Sequence, residues 1–159
     1  QTIPILAIAP MIIVVLNAVG ISGLLPKAMI SMYLSFFPVV VGMVKGLRSP
    51  DAMQLDLLRT YNASNAQGFW ALRLPASTPY LFASLKIGIA ASLVGTIVAE
   101  LPTGARAGFG ARMLVGDQYG QPLVSWAALF GAAITAAMLV GLFGLIERIT
   151  LKRMGMAAS

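Results

Sequence analysis

Few side chains in this sequence can do chemistry. Histidine and cysteine are both absent from its 159 residues. That removes imidazole general bases, thiolate nucleophiles, disulfides and the usual zinc sites. The pairing left for an enzyme is Glu100 with Arg106 or Arg112, near the end of one apolar run. No paired carboxylate, nucleophile–base couple or metal-ligand set accompanies it. A membrane enzyme using Glu100 with Arg106 or Arg112, on a lipid-linked substrate for example, is therefore one alternative reading and a weak one. A phosphate-binding loop needs Gly-Lys-Ser/Thr, and none of Lys27, Lys45, Lys86 or Lys152 follows a glycine. The chain has no ATP site of its own kind. No cofactor is implied.

These residues are set in a chain that is 58% apolar and only 10% charged, with a mean hydropathy of +0.87. A soluble domain carries about 25% charged residues, so this composition defines an all-α integral membrane protein. Four uncharged or nearly uncharged runs predict about four transmembrane helices: Thr2–Leu25, Ala28–Val44, Thr78–Ala99 (containing Lys86) and Leu123–Ile146. The net charge of +6 is spread between the runs rather than clustered, which argues against nucleic acid. With Lys86 snorkelling back to its nearer side, eight basic residues fall on the face shared by the 45–77 loop and the C-terminal tail, against Lys27, Arg106 and Arg112 on the other. The positive-inside rule makes that loop cytoplasmic. An ion-coupled secondary transporter is a second alternative, but the mid-membrane charge and inverted repeats it predicts are not found. The chain opens at Gln1 with no initiator methionine and no basic flank, which predicts a cut within a longer protein.

The loop at 45–77 carries its own helix signals. Pro50 and Asp51 suit the first turn of a helix, and Met53, Leu57 and Tyr61 recur at i, i+4, i+8 with Leu58 beside them. Asn62 tolerates the left-handed conformation that ends helices. Ser64 to Gln67 reads as a capping box opening a second short helix that carries Phe69 and Trp70 and ends before Pro75. Leu74-Pro75 and Pro79 then predict an extended return to the membrane. Such an element either lies at the lipid interface or fills a partner's groove.

Asp56-Leu57-Leu58, Asn62, Leu72, Leu74 and Pro75 resemble the cytoplasmic motif E-A-A-x3-G-x9-I-x-L-P of type I binding-protein-dependent ABC importer permeases. Leu74 and Pro75 match it, Asp56 and Leu72 are conservative, Leu57 and Leu58 replace alanines, and Asn62 replaces the glycine. The opening Ile3 to Pro10, Leu24-Leu25-Pro26-Lys27, Phe37-Pro38-Val39, Arg59 to Ser64 and Ala99-Glu100-Leu101-Pro102 are similar to the nitrate, sulfonate, taurine and thiamine-pyrimidine branch. The resemblance implies an N-terminally incomplete permease domain over 1–159, with its coupling loop at 45–77 and an external loop at 102–122 holding a short re-entrant helix around Ala111–Val115. It implies a bacterial inner-membrane, multi-pass subunit that carries a small polar solute, pyrimidine-like on the sequence Glu100 to Gly104.

The implied partners are a cytosolic ABC ATPase dimer, an extracytoplasmic solute-binding protein, a second permease copy as a homodimer, and membrane lipid. ATP hydrolysis falls to the separate subunit. The implied ATPase contacts are Ala63, Ser64, Gln67, Gly68, Phe69 and Trp70, with Asp56 and Arg59 orienting the approach and Leu57, Leu58, Asn62, Leu74 and Pro75 completing the motif. The competing fate of Phe69 and Trp70 is burial against the permease's own spans. Asp117 and Tyr119 are expected to face the binding protein. Met11, Asn17, Ser92, Thr96 and Glu100 are the candidates for the translocation path. The small residues Gly88, Ser92, Gly95 and Ala99, and Gly131, Thr135 and Gly141, predict close helix packing.

Overall fold

The structure, a computed structural model, describes residues 5–100 and 107–155, and the side chains from residue 8 onward within the first stretch. Every regular element among the described residues is helical: α1 (Ile5–Ala18), α2 (Leu24–Leu47), α3 (Ala52–Thr60), α4 (Asn65–Gly68), a π-helical turn (Phe69–Arg73), α5 (Leu74–Glu100), α6 (Phe109–Gln118) and α7 (Pro122–Arg153). Three stretches are long and apolar enough to cross a membrane: Leu24–Leu47, Asn65–Glu100 and Pro122–Arg153. The first expected span is shorter. Its described helix has 14 residues, about 21 Å at 1.5 Å per residue. It stops where Gly20 (φ +80°) and Gly23 (φ +88°) turn left-handed, a conformation that costs glycine nothing.

The chain forms two compact units. The first contains the described residues of 1–36 and 88–140. Its core joins Ala9 and Ile13 of α1, Ile30 of α2 and Ala99 of α5, with Ile12 and Val98 packed around them. Gly95 explains how closely α2 and α5 approach: a methyl there would lie 2.9 Å from Leu34 Cδ1 and 3.1 Å from Ser31 Cα. At that crossing the Ser31 and Thr96 hydroxyls share a hydrogen bond of 2.8 Å. In the same unit the Phe109 ring of α6 lies over Gly131 of α7, and Ser125 Oγ donates to the Met113 carbonyl at 3.1 Å.

The second unit contains 37–87 and the described part of 141–159. Here too a glycine sets the α2–α5 contact: a methyl on Gly46 would lie 2.9 Å from Ser77 Cα. Ser77 and Ser84 are buried, and their hydroxyls donate back to the carbonyls of Leu74 and Leu81 in their own helix. Small and self-satisfied polar residues are what tight helix pairs in lipid require.

Large apolar side chains are exposed all along α2 and α7, including Met32, Phe36, Trp126, Phe130, Ile134, Met138 and Leu142. Water would not tolerate so continuous an apolar surface, whereas lipid or further apolar helices would.

Candidate functional site

The loop between α2 and α5 folds from local signals. Asp51 is the N-cap of α3: its carboxylate accepts from the Ala52 amide at 2.7 Å, and Gln54 Oε1 accepts from the Asp51 amide at 3.2 Å. Pro50 therefore precedes the helix instead of opening it. Asn62 ends the segment at φ +53°, the one described non-glycine residue with positive φ. Ser64 caps α4, accepting from the Gln67 amide at 3.3 Å while Gln67 Oε1 accepts from the Ser64 amide at 2.8 Å. This is the reciprocal box read from the sequence.

The return to α5 differs from expectation. Helical structure continues from Asn65 to Glu100 without an extended segment at Leu74-Pro75. A π turn over Phe69–Arg73 precedes the proline, with the Leu74 amide bonded to the Phe69 carbonyl. That wider turn makes room for a proline ring that an α-helical carbonyl four residues back would strike. Pro79 lies within α5 as well.

Between α3 and α4 the chain leaves a groove of about 290 Å³, lined by residues that include Leu58, Arg59, Ser64, Gly68, Phe69 and Arg73. Gly68 lies at its wall, where a methyl would make an ordinary van der Waals contact with Leu58 Cδ1 at 3.8 Å. Asp56 and Arg59 form an exposed ion pair at 3.1 Å. Phe69 and Trp70 stack edge to face with centroids 5.5 Å apart and remain 37% and 68% exposed, so they are not buried against the chain's own spans. Met53, Leu57 and Tyr61 also face solvent. Of the other loop residues singled out, Asn62, Ser64 and Gln67 are exposed, while Ala63, Leu74 and Pro75 are partly covered.

Of the candidates for the path, Ser92, Thr96 and Glu100 recur every four residues along α5, with the Thr96 hydroxyl donating to the Ser92 carbonyl at 3.0 Å, while the other two belong to α1. Met11 and Asn17 are exposed on α1. Ser92 donates to its own helix at the Ile89 carbonyl, and Thr96 bonds across to Ser31. Glu100 is 5% exposed. Its Oε1 accepts from Lys27 Nζ at 3.2 Å and its Oε2 accepts from the Gly110 amide at 2.8 Å. Arg106 lies outside the described residues, and Lys27 is an ion-pair partner of Glu100. Gly108 allows the approach, since at φ +139° a side chain would be strained and its Cβ would overlap the Glu100 carboxylate. Helix α6 has no side-chain cap of its own at Gly108, and Glu100 supplies the acceptor that its first turn needs. Asp117 and Tyr119 are exposed at the other end of α6.

A second ion pair escaped sequence reasoning. Lys86 does not snorkel alone; it binds Glu147 of α7. The signal was available. With 5 acids against 11 bases, a lysine inside an apolar run and an acid at the end of another are natural partners.

Long apolar helices joined by a capped, exposed two-helix loop define a multi-pass membrane protein. Residues 1–155 match the family described as binding-protein-dependent transport system inner membrane component. The chain belongs to that family of ABC transporter permeases and is a multi-pass inner-membrane protein. It is 31% identical over 129 residues to a probable ABC transporter permease protein of Haemophilus influenzae, covering 81% of this chain and 51% of that one. It is 29% identical over 153 residues to a riboflavin transport system permease protein of Chloroflexus aurantiacus, covering 96% and 55%. It is 32% identical over 110 residues to a formylaminopyrimidine transport permease protein of Halalkalibacterium halodurans, covering 69% and 42%. The chain thus spans about half the length of the curated relatives it matches. No solved structure matches it.

Proposed function

We propose that this chain is the coupling part of the permease subunit of an ATP-driven importer. It passes a small polar solute that an extracytoplasmic binding protein delivers, and a second permease copy completes the path. The observation that carries this reading is the 45–77 loop, whose groove and aromatic pair face solvent on a framework locked by two capping boxes. A cytosolic ATPase subunit is the partner we assign to it, because the chain holds no phosphate-binding loop. Closure of two ATPase subunits would then move the loop as a rigid body and switch the spans between inward- and outward-open states. The names of relatives range over riboflavin, formylaminopyrimidine, nitrate and aliphatic sulfonates, which keeps the solute class at small and polar.

The test is co-purification of the ATPase with the permease, together with solute uptake. Ser64→Arg removes an N-cap and Gly68→Arg fills the groove; each is expected to lower ATPase association at least tenfold while membrane insertion persists. Association and uptake equal to wild type in both variants would defeat the assignment.

A further inference from the structure

The second unit holds a cleft of about 300 Å³ between α5 and α7, lined by Lys86, Gly141, Gly144, Leu145, Glu147, Arg148 and Leu151. Two of these residues, Gly141 and Gly144, are glycines. A methyl on Gly141 would meet nothing within 4 Å, and the Lys86 stem passes 3.9 Å from where one on Gly144 would stand. The charges at its rim are unequally matched. Glu147 is engaged by Lys86, whereas Arg148 has no ion pair among the described residues. Lys152 follows Arg148 by four residues and so shares its face, one turn further out. Both cations come just after a run of 24 residues, Leu123–Ile146, without a charge.

Along one face of α7 the order is therefore an open glycine trough flanked by the Lys86–Glu147 ion pair, then a guanidinium with no ion pair among the described residues, then an ammonium. That is the order of groups in a phospholipid lying against a span: acyl chain, phosphate, headgroup. Basic pockets beside transmembrane helices select anionic lipid for this reason. We propose that this cleft binds an anionic phospholipid, one acyl chain lying over Gly141 and Gly144 and the phosphate meeting Arg148. Charge complementarity decides the occupant. A neutral zwitterionic headgroup would leave the Arg148–Lys152 pair of cations uncompensated, and an apolar helix would bury them.

The experiment is native mass spectrometry of the chain released from mixed vesicles of phosphatidylglycerol and phosphatidylcholine in equal amounts. The wild type is expected to retain phosphatidylglycerol over phosphatidylcholine. Arg148→Gln should lower phosphatidylglycerol retention about fivefold, the worth of one basic residue at an anionic membrane surface. Gly141→Leu fills the trough and should lower retention of the same lipid with both cations still present. Arg148 is exposed, so its variant keeps the test decisive even where Gly141→Leu fails to insert. Equal retention of the two lipids by the wild type, or undiminished phosphatidylglycerol retention in Arg148→Gln, overturns the site. Displacement of the lipid by soluble glycerol phosphate alone overturns the acyl trough.

Discussion

Glu100 changes meaning most between sequence and structure. As an acid near the end of a span it suggests either a pathway group, since charges in membranes are costly and usually functional, or a structural ion pair with Arg106 or Arg112. In the structure its carboxylate accepts from Lys27 Nζ at 3.2 Å and from the Gly110 amide at 2.8 Å. One oxygen pairs a charge and the other caps α6. The two roles separate by substitution. Glu100→Gln keeps an acceptor for Gly110 and loses the charge; Glu100→Ala loses both. A charge-assisted hydrogen bond contributes about 1.5–3 kcal/mol, so hydrogen exchange in the first turn of α6 should rise tenfold or more in Glu100→Ala and less in Glu100→Gln. Lys27→Met, which removes the cation 3.2 Å from the Glu100 carboxylate, should cost about 1.5–3 kcal/mol in a detergent unfolding titration. Much of that loss should return in Lys27→Met combined with Glu100→Gln. Equal exchange in Glu100→Ala and wild type would remove Glu100 from the capping role.

At the scale of elements, what the sequence revealed was what is local. Asn62, and Ser64 with Gln67, make their contacts within a few residues, and side-chain type alone announced them. The run boundaries also located α2, α5 and α7, because a bilayer needs long apolar stretches and nothing else in the chain competes. Contacts 73 and 61 residues apart, Lys27–Glu100 and Lys86–Glu147, carry no local signal beyond their rarity. The π turn was invisible for another reason: no residue type favours it, and Pro75 by itself reads as a helix end. The small-residue stripes predicted packing but not which members pack. Gly46 has a neighbour's backbone 2.9 Å from its missing methyl, while Gly141 has open space. Gly46→Ala should therefore lower stability by about 1–3 kcal/mol through overpacking that backbone cannot relieve. Gly141→Ala should leave stability unchanged or raise it by up to about 1 kcal/mol through helix propensity. Thermal unfolding of the two variants in the same detergent checks the contrast, and equal shifts would show that neither glycine is set by its neighbours.

For the whole molecule the decisive quantity is where the charges end up. Two lysines turn out to be neutralised in place, Lys27 by Glu100 and Lys86 by Glu147. The positive-inside argument must then stand without Lys86. It does: with both paired lysines set aside, Lys45, Arg48, Arg59, Arg73, Arg148, Lys152 and Arg153 outnumber Arg106 and Arg112 by seven to two. Because orientation follows Lys and Arg in short loops, the 45–77 loop should face the cytoplasm and the 102–122 loop the opposite side. The absence of cysteine makes this directly measurable, since a single introduced thiol is the only one present. Gln67 and Tyr119 are both exposed, and Gln67→Cys and Tyr119→Cys place one probe in each loop. In intact cells a membrane-impermeant maleimide should label Tyr119→Cys and leave Gln67→Cys untouched; in inverted vesicles the pattern should reverse. Labelling of Gln67→Cys from outside would put the capped loop on the side where no ATPase can reach it, and would overturn the coupling role together with the orientation.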